Sequence, residues 1–174
     1  MNLLKDLDAG KKSPEEINVV VEIPKGSRNK YEYDKEKGVF ILDRVLRSPF
    51  HYVGDYGFVP RTLCGDGDPL DVIVLVDQPS FPGCVINARP VAMLIMKDEK
   101  GTDEKILAVP ADDSRYDEIT DMGKVPSHIL KEISHFFEQY KALEKGKWAK
   151  VEGWKSGEEA KKLIKASMEK FRKS

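Results

Sequence analysis

A chain of 174 residues, 40% hydrophobic and 34% charged with a formal net charge of −1, is long enough for one domain with a sizeable core. That composition excludes a disordered or collagen-like chain, and a charge so near zero gives no bulk basic signal for nucleic acid. The N-terminal stretch MNLLKDLDAGKKSPEE lacks the apolar run of a signal peptide, no segment reads as a bilayer span, and Cys64 and Cys84 show no C-x-x-C spacing, so a cytoplasmic protein with reduced thiols is expected.

After the charged N-terminal arm, Ile17 to Pro24 (INVVVEIP) reads as a strand that carries Glu22 among apolar neighbours. Gly26-Ser27-Arg28 turns, and Lys30-Tyr31-Glu32-Tyr33 alternates. Period-2 geometry then puts Lys30 and Glu32 on one face and the two tyrosines on the other. Val39 to Leu46 (VFILDRVL) returns as a further strand with Asp43 and Arg44 in apolar company. Arg44 is either a surface residue paired with Asp43 or Glu32, or a planar clamp suited to phosphate. Phe50 to Pro60 (FHYVGDYGFVP) predicts short strands and tight corners, with Tyr52 and Tyr56 in the core or with their hydroxyls in a polar cleft.

The stretch Gly65 to Asp77 (GDGDPLDVIVLVD) is the most unusual in the chain. Asp66, Asp68 and Asp71 fall within six residues, punctuated by Gly67 and Pro69, and Val72 to Val76 then reads as a buried strand. Ionised carboxylates accept but do not donate, and several at close range repel one another, so the loop calls for a hard divalent cation. A polar turn whose aspartates bond nearby backbone N–H groups is the competing reading. An EF-hand fails, because the third Asp sits at position 6, where that loop requires Gly, and position 12 falls on Asp77 beyond a hydrophobic strand.

Gly83 to Met96 carries two apolar runs broken at Arg89-Pro90, one bent strand or two. Lys97 to Lys105 is a second acidic turn, on its own an ordinary hairpin tip in solvent, and Ile106 to Pro110 re-enters the sheet. Ile129, Leu130, Ile133, Phe136, Phe137 and Tyr140 then recur at helical spacing after Pro126-Ser127. This apolar helix leaves room for a subunit contact that includes His135 and Phe136. Trp148 to Trp154 is a short strand, and Ser156 with Glu159 forms a capping box for a last helix. His51, His128 and His135 share no ligand spacing. The expectation is a single α+β, mainly β, domain over residues 1–174, a small barrel with two late helices packed outside.

Acidic groups (Glu22, Glu32, Asp66, Asp68, Asp71, Asp98, Asp103) and phosphate-friendly donors (Lys30, Arg44, Tyr56, Lys105, Tyr140, Lys141) both recur at the ends of predicted strands. No Walker loop, nucleotide fingerprint or Ser-His-Asp arrangement is present. The combination points to metal-assisted hydrolysis or transfer on a small phosphate compound. Two rivals are an OB-type oligonucleotide- or oligosaccharide-binding module with tyrosines as stacking platforms, and a calcium-binding protein without turnover. Scarce Asn and Gln beside abundant Lys and Glu are similar to the bias of heat-adapted proteins.

DGDPLDV resembles the signature of the soluble family I inorganic pyrophosphatases. The resemblance extends from VVVEIPKGSRNKYEYDKEKGVFILDR through HFFEQYKALEKGKWAKVEGW, and the length is similar to the bacterial and archaeal branch. It implies an OB-like five-stranded barrel with additional strands and two C-terminal helices outside, and magnesium-dependent hydrolysis of pyrophosphate by a metal-bound hydroxide. Asp66, Asp71 and Asp103 would bind a first magnesium, with Asp71 bridging to a second. Asp98 and Asp103 would hold a metal that arrives with substrate, and Glu32 would place another through water. Asp68 would accept the proton of the attacking water. Lys30, Arg44, Tyr56, Lys105, Tyr140 and Lys141 would grip the phosphates, with Glu22, Asp43 and Tyr52 behind them. Manganese or zinc would substitute, calcium would inhibit, and the assembly would be a homo-oligomer, a hexamer, with neither nucleic acid nor membrane as partner.

Overall fold

The computed structural model describes residues 1–174. In chain order the elements are β1 (Ile17–Ile23), β2 (Asn29–Asp34), β3 (Val39–Val45), β4 (Asp55–Phe58), β5 (Asp71–Val74), β6 (Val85–Asp98), β7 (Gly101–Pro110), α1 (Ser127–Gln139), β8 (Ala149–Ser156) and α2 (Gly157–Arg172). Two short 3-10 turns, Ser114–Tyr116 and Met122–Lys124, precede α1.

Five strands close into a ring in the order β1-β4-β5-β7-β6, sealed by a second pairing of β1 with β6. This is the mainly-β, OB-like barrel expected from the sequence, and β8 extends it by pairing along the far edge of β6. β2 and β3 form a separate hairpin, attached through Tyr33 and Phe40, whose rings meet each other at 5.3 Å, with Tyr33 5.9 Å from Phe58 of β4. Closing the ring removes exposed strand edges, and it fixes which charged residue stands opposite which.

The run Val72 to Leu75 is continuously apolar because the barrel wall is covered on both sides. Successive side chains of a strand alternate between faces. Val72 and Val74 accordingly join one core cluster with Ile106, Ala108 and the α2 residues Ala160 and Ile164. Ile73 and Leu75 join the other, with Leu107, Val109 and the α1 residues Ile133, Phe136 and Phe137. The long apolar segment interrupted at Arg89-Pro90 is one bent strand, β6, with an irregularity in its register between Pro90 and Ala92. Proline has no N–H to give the ladder, so the pairing breaks there. Gly57 permits the close approach of β1 and β4: a Cβ at that position would lie 1.9 Å from the Val20 carbonyl oxygen.

Half of the capping box forms: the Ser156 side chain accepts from Glu159 N at 3.3 Å, while the Glu159 carboxylate takes Lys162 at 3.2 Å. α2 carries Glu158 and Glu159 in its first turn and Lys170 and Arg172 in its last, in keeping with the helix dipole. The charged N-terminal arm is held against the fold: Leu4 and Ala9 are buried, and backbone bonds run from Arg61 N to Leu4 O and from Asn18 N to Ala9 O. One expectation needs correction. Phe136 is 1% exposed, so it belongs to the core of its own subunit and is not available for a contact between subunits. His135 is exposed and packs edge-on against Phe50 at 5.4 Å.

Candidate functional site

β5 and β7 run parallel in a register that sets Asp71 opposite Lys105. The Lys105 ammonium is buried and donates to Asp71 Oδ2 at 2.8 Å, to Tyr56 Oη at 2.8 Å and to Asp103 Oδ1 at 3.2 Å. These three acceptors match the three N–H bonds of a lysine. Burial works against the charge of Lys105, but Asp71, Tyr56 and Asp103 more than offset it and hold the ammonium well above its ordinary value. Tyr56 donates to Asp71 Oδ2 at 2.6 Å. Burial, with the charge of Asp71 added, pushes its phenol well up, so Tyr56 stands there as a neutral donor. Burial also pushes the Asp103 carboxyl up, against the pull of Lys105 and helped by Asp71.

A second group closes the opposite side. Lys141 Nζ reaches Asp98 Oδ2 at 2.9 Å and Glu99 Oε2 at 3.1 Å, and Lys147 Nζ reaches Glu99 Oε1 at 3.0 Å. Glu99 also lies 3.4 Å from Trp148 N. Its partial burial is outweighed by its own backbone N–H, Lys147, Lys141 and Trp148, and its carboxyl is brought down to about 2. The acidic turn from Lys97 to Lys105 is therefore more than a tip in solvent, since its carboxylates anchor the turn beyond α1. On the hairpin, Lys30 and Glu32 form an ion pair, as alternation predicts, and Lys30 approaches Asp43 at 3.6 Å. Arg44 Nε stands 3.6 Å from Asp43 and 3.4 Å from Glu144.

Apart from Glu144, which stands behind Arg44, the side chains of these groups line one cleft of about 700 Å³. Every site residue singled out from the sequence borders it except Tyr52. That residue is buried behind Tyr56, with ring centroids 5.4 Å apart. A separate cleft of about 600 Å³ shares no residue with it and has Asp8 as its one carboxylate. The Asp loop forms the polar turn that one of the two sequence readings expected. Asp66 Oδ1 accepts from Asp68 N at 3.0 Å, the local turn bond, and Gly67 takes φ 88°. The carboxylate of Asp68 stays exposed, with Lys35 at 3.6 Å as its nearest cation. Thr62 anchors the base of the loop, accepting from Leu70 N at 2.9 Å and donating to Val59 O at 2.6 Å. Sequence reasoning missed Glu99 and Glu144. Both lie in quoted stretches, the acidic turn and EKGKW, but neither has a spacing that sets it apart.

Eleven carboxylates and seven cationic side chains border the cleft, so the carboxylates are four in excess. No three of them already converge as a finished ligand cage, because Lys105 occupies the space between Asp71 and Asp103. Magnesium fits such a donor set: it takes oxygen ligands, keeps several waters and needs only one or two carboxylates from the protein. The uncompensated charge beside the raised Asp103 is what a cation would relieve.

The family profile for inorganic pyrophosphatases matches residues 19–172. An inorganic pyrophosphatase of Xanthomonas axonopodis pv. citri is 52% identical over 171 residues, covering 97% of this chain and 96% of the relative. One from Haloferax volcanii is 49% identical over 171 residues, 98% of this chain and 97% of the relative. The crystal structure of the inorganic pyrophosphatase from Thermus thermophilus superposes with a TM-score of 0.97 at 49% identity, covering 99% of both chains.

Glu22 gives the site a pH signature when no metal is bound. Its carboxylate accepts from Tyr33 N at 2.8 Å; burial pushes it up to about 8, opposed by that N–H and assisted by Asp71. An unfolded Glu titrates near about 4.3, so the folded form binds the extra proton between those values. The stability Glu22 contributes is complete below about pH 4.3 and is lost as pH rises through about 8. In chelator, the wild-type melting temperature is expected to fall between pH 6 and pH 9 more steeply than that of Glu22→Gln. Parallel curves would show that Glu22 does not titrate there.

Proposed function

The chain belongs to the inorganic pyrophosphatase family and hydrolyses pyrophosphate to two orthophosphates, and we propose that it does so in the cleft around Lys105. Pyrophosphate carries several negative charges, and a cleft with carboxylates in excess repels it. Hydrolysis is for that reason metal-dependent, and magnesium is the ion we assign. Asp66, Asp71 and Asp103 would hold one ion with Asp71 shared by a second, Asp98 and Asp103 would hold another, and Glu32 would act through water. Bound magnesium supplies charge neutralisation and a more acidic water. Manganese or zinc would serve in its place, whereas calcium, larger and asking for more ligands, would inhibit.

The chain's own groups do the rest. Lys30, Arg44 and Lys141 present cations to the phosphate oxygens from the hairpin and from the turn beyond α1. Lys105 and Tyr56 add two donors from the barrel wall, and Tyr140 completes the phosphate grip. Each of these lysines is now shared with a carboxylate, so substrate oxygens exchange for acceptors already in place and no bare charge is exposed. Water attacks one phosphorus, the bridging P–O bond breaks, and the proton passes to a carboxylate oxygen of Asp68. Asp68 suits that role because its carboxylate is exposed and, unlike that of Asp66, takes no part in the turn's backbone bond. Donors fixed before reaction stabilise the leaving phosphate as charge builds on it.

The observation that carries this reading is the four-residue cluster of Asp71, Lys105, Tyr56 and Asp103, a pairing of metal-type and phosphate-type groups at one point. It also disfavours the OB-type binding module. The rings of Tyr52, Tyr56 and Tyr140 are at most 9% exposed, so none offers a face for a base to stack on.

No helix is long and apolar enough to cross a membrane, and the cytoplasm is the compartment we assign. We propose a homohexamer. Its support is the apolar surface left open on one subunit: Leu42 and Val45 on β3 are 52% and 48% exposed, and Phe81 is 65% exposed. Sedimentation equilibrium at micromolar concentration is expected to return six copies of the 19.7 kDa chain, and monomer alone would exclude the hexamer.

A magnesium titration of both binding and rate separates the two neighbouring aspartates. Asp71→Asn removes a ligand from two ions, so metal affinity weakens and added magnesium recovers part of the rate. Asp68→Asn removes the proton acceptor, so turnover falls by about 10²–10⁴-fold even at saturating metal, with metal affinity changed far less. Rescue of Asp68→Asn by magnesium, without rescue of Asp71→Asn, would reverse the two assignments.

A further inference from the structure

Three buried side-chain polar atoms in the chain lack a hydrogen-bond partner, and two of them face each other: Arg44 Nε and Glu144 Oε1, 3.4 Å apart. The third, Arg89 Nε, belongs to a guanidinium already engaged through Nη2 with the carbonyls of Tyr116 and Ile119. Glu144 is a different case. Its side chain is 9% exposed and Arg44 is the one cation within ion-pair distance. A buried carboxylate without a hydrogen-bonded partner is costly to keep, so its presence beside Arg44 asks for a role.

We propose that Glu144 is a positioning residue that aims the Arg44 guanidinium at the substrate. The proposal rests on the reading of Arg44 as a phosphate clamp. Arg44 turns Nε toward two carboxylates, Glu144 at 3.4 Å and Asp43 at 3.6 Å. A guanidinium is planar, so fixing Nε fixes the direction of the two Nη groups, the edge that matches a phosphate bidentately. At 3.4 Å the pair stands just outside the usual hydrogen-bond range, so a shift of a few tenths of an ångström completes the bond when phosphate draws the guanidinium into place.

The placement of Glu144 supports this role. Its backbone is held in the turn beyond α1 by Glu144 N to Lys141 O at 3.0 Å and Lys147 N to Glu144 O at 3.1 Å. The same turn carries Lys141 and Lys147 in the cleft. Arg44 comes from the β2–β3 hairpin, which is a sheet separate from the barrel. The Arg44 to Glu144 contact is thus a direct ionic tie between the two units that supply phosphate donors from opposite sides. It sets their spacing before substrate arrives, which is worth affinity because less ordering remains to be done on binding.

The test is a double-mutant cycle on KM and kcat with magnesium pyrophosphate, with the melting temperature of each variant recorded. Glu144→Gln keeps the size and removes the charge. It is expected to raise KM about tenfold, the size expected for one charge-assisted hydrogen bond, with kcat within about threefold of wild type. Glu144→Asp, which keeps the charge on a shorter arm, is expected to fall between them, and it is the variant to read if Glu144→Gln does not fold. Arg44→Ala is expected to raise KM at least as much, and Glu144→Gln added to Arg44→Ala is expected to change nothing further. An unaltered KM in Glu144→Gln overturns the proposal, as does a Glu144→Gln effect that persists in the Arg44→Ala background, which marks a merely structural role. If Arg44→Ala itself leaves KM unchanged, the clamp reading of Arg44 falls, and the proposal with it.

Discussion

Asp71 and Asp103 share one buried cation, the ammonium of Lys105, and the rest of the cleft is arranged around that sharing. Two carboxylates at such range cannot both stay ionised in a site screened from water unless a positive charge lies between them. The strand register places that charge there: β5 and β7 bring Asp71 and Lys105 side by side, and Asp103 lies two residues earlier on β7. Tyr56, on the neighbouring strand β4, closes the cluster with its hydroxyl. Because the strands belong to a closed ring, none of the four can slip past another without breaking the barrel. The energetic consequence is asymmetric. Taking Lys105 away leaves Asp71 and Asp103 without the cation they share, which costs more than the intact cluster contributes to stability.

Around this fixed centre the other charged groups stand on a loop, a hairpin and the turn beyond α1. Asp66 and Asp68 sit on an exposed loop shaped by its own backbone, and Lys30, Glu32 and Arg44 stand on a hairpin outside the barrel. The turn beyond α1 adds Lys141, clasped by Asp98 and Glu99. A barrel wall bearing the Asp71–Lys105–Asp103 cluster, faced by donors from the hairpin and the turn beyond α1, suits the metal-bound substrate proposed above. Donors fixed in a wall of this kind need little reorganisation as charge develops in a transition state.

Much of this was legible from the residues. The Asp66, Asp68 and Asp71 spacing marked the loop, and the β-branched run after it marked a strand. Alternation in Lys30 to Tyr33 put the charged pair on one face and the ring of Tyr33 on the other, where it packs on Phe58. Helical spacing found α1, and a capping box found the start of α2. What the residues could not show was register. Nothing in the sequence says that β5 and β7 are parallel neighbours, so the pairing of Asp71 with Lys105 was not read: the resemblance gave one as a metal ligand and the other as a phosphate donor, without joining them. Glu99 and Glu144 escaped for a related reason: each acquires its meaning from a partner 42 or more positions away, Lys141 or Arg44. Phe136 shows the reverse error, an apolar helix residue read as surface that its own core absorbs.

The central claim is that Lys105 holds the place of a metal's charge in the free cleft and turns to phosphate during catalysis. Titrating magnesium into wild type and Lys105→Gln, and measuring phosphate release from pyrophosphate on the same samples, tests it most directly. The account predicts tighter magnesium binding in the variant, because a competing cation has gone, together with a fall in turnover of about 10²–10³-fold, the scale of losing one oxyanion-stabilising donor. Weaker magnesium binding in a folded Lys105→Gln variant, or turnover near wild type, would contradict it.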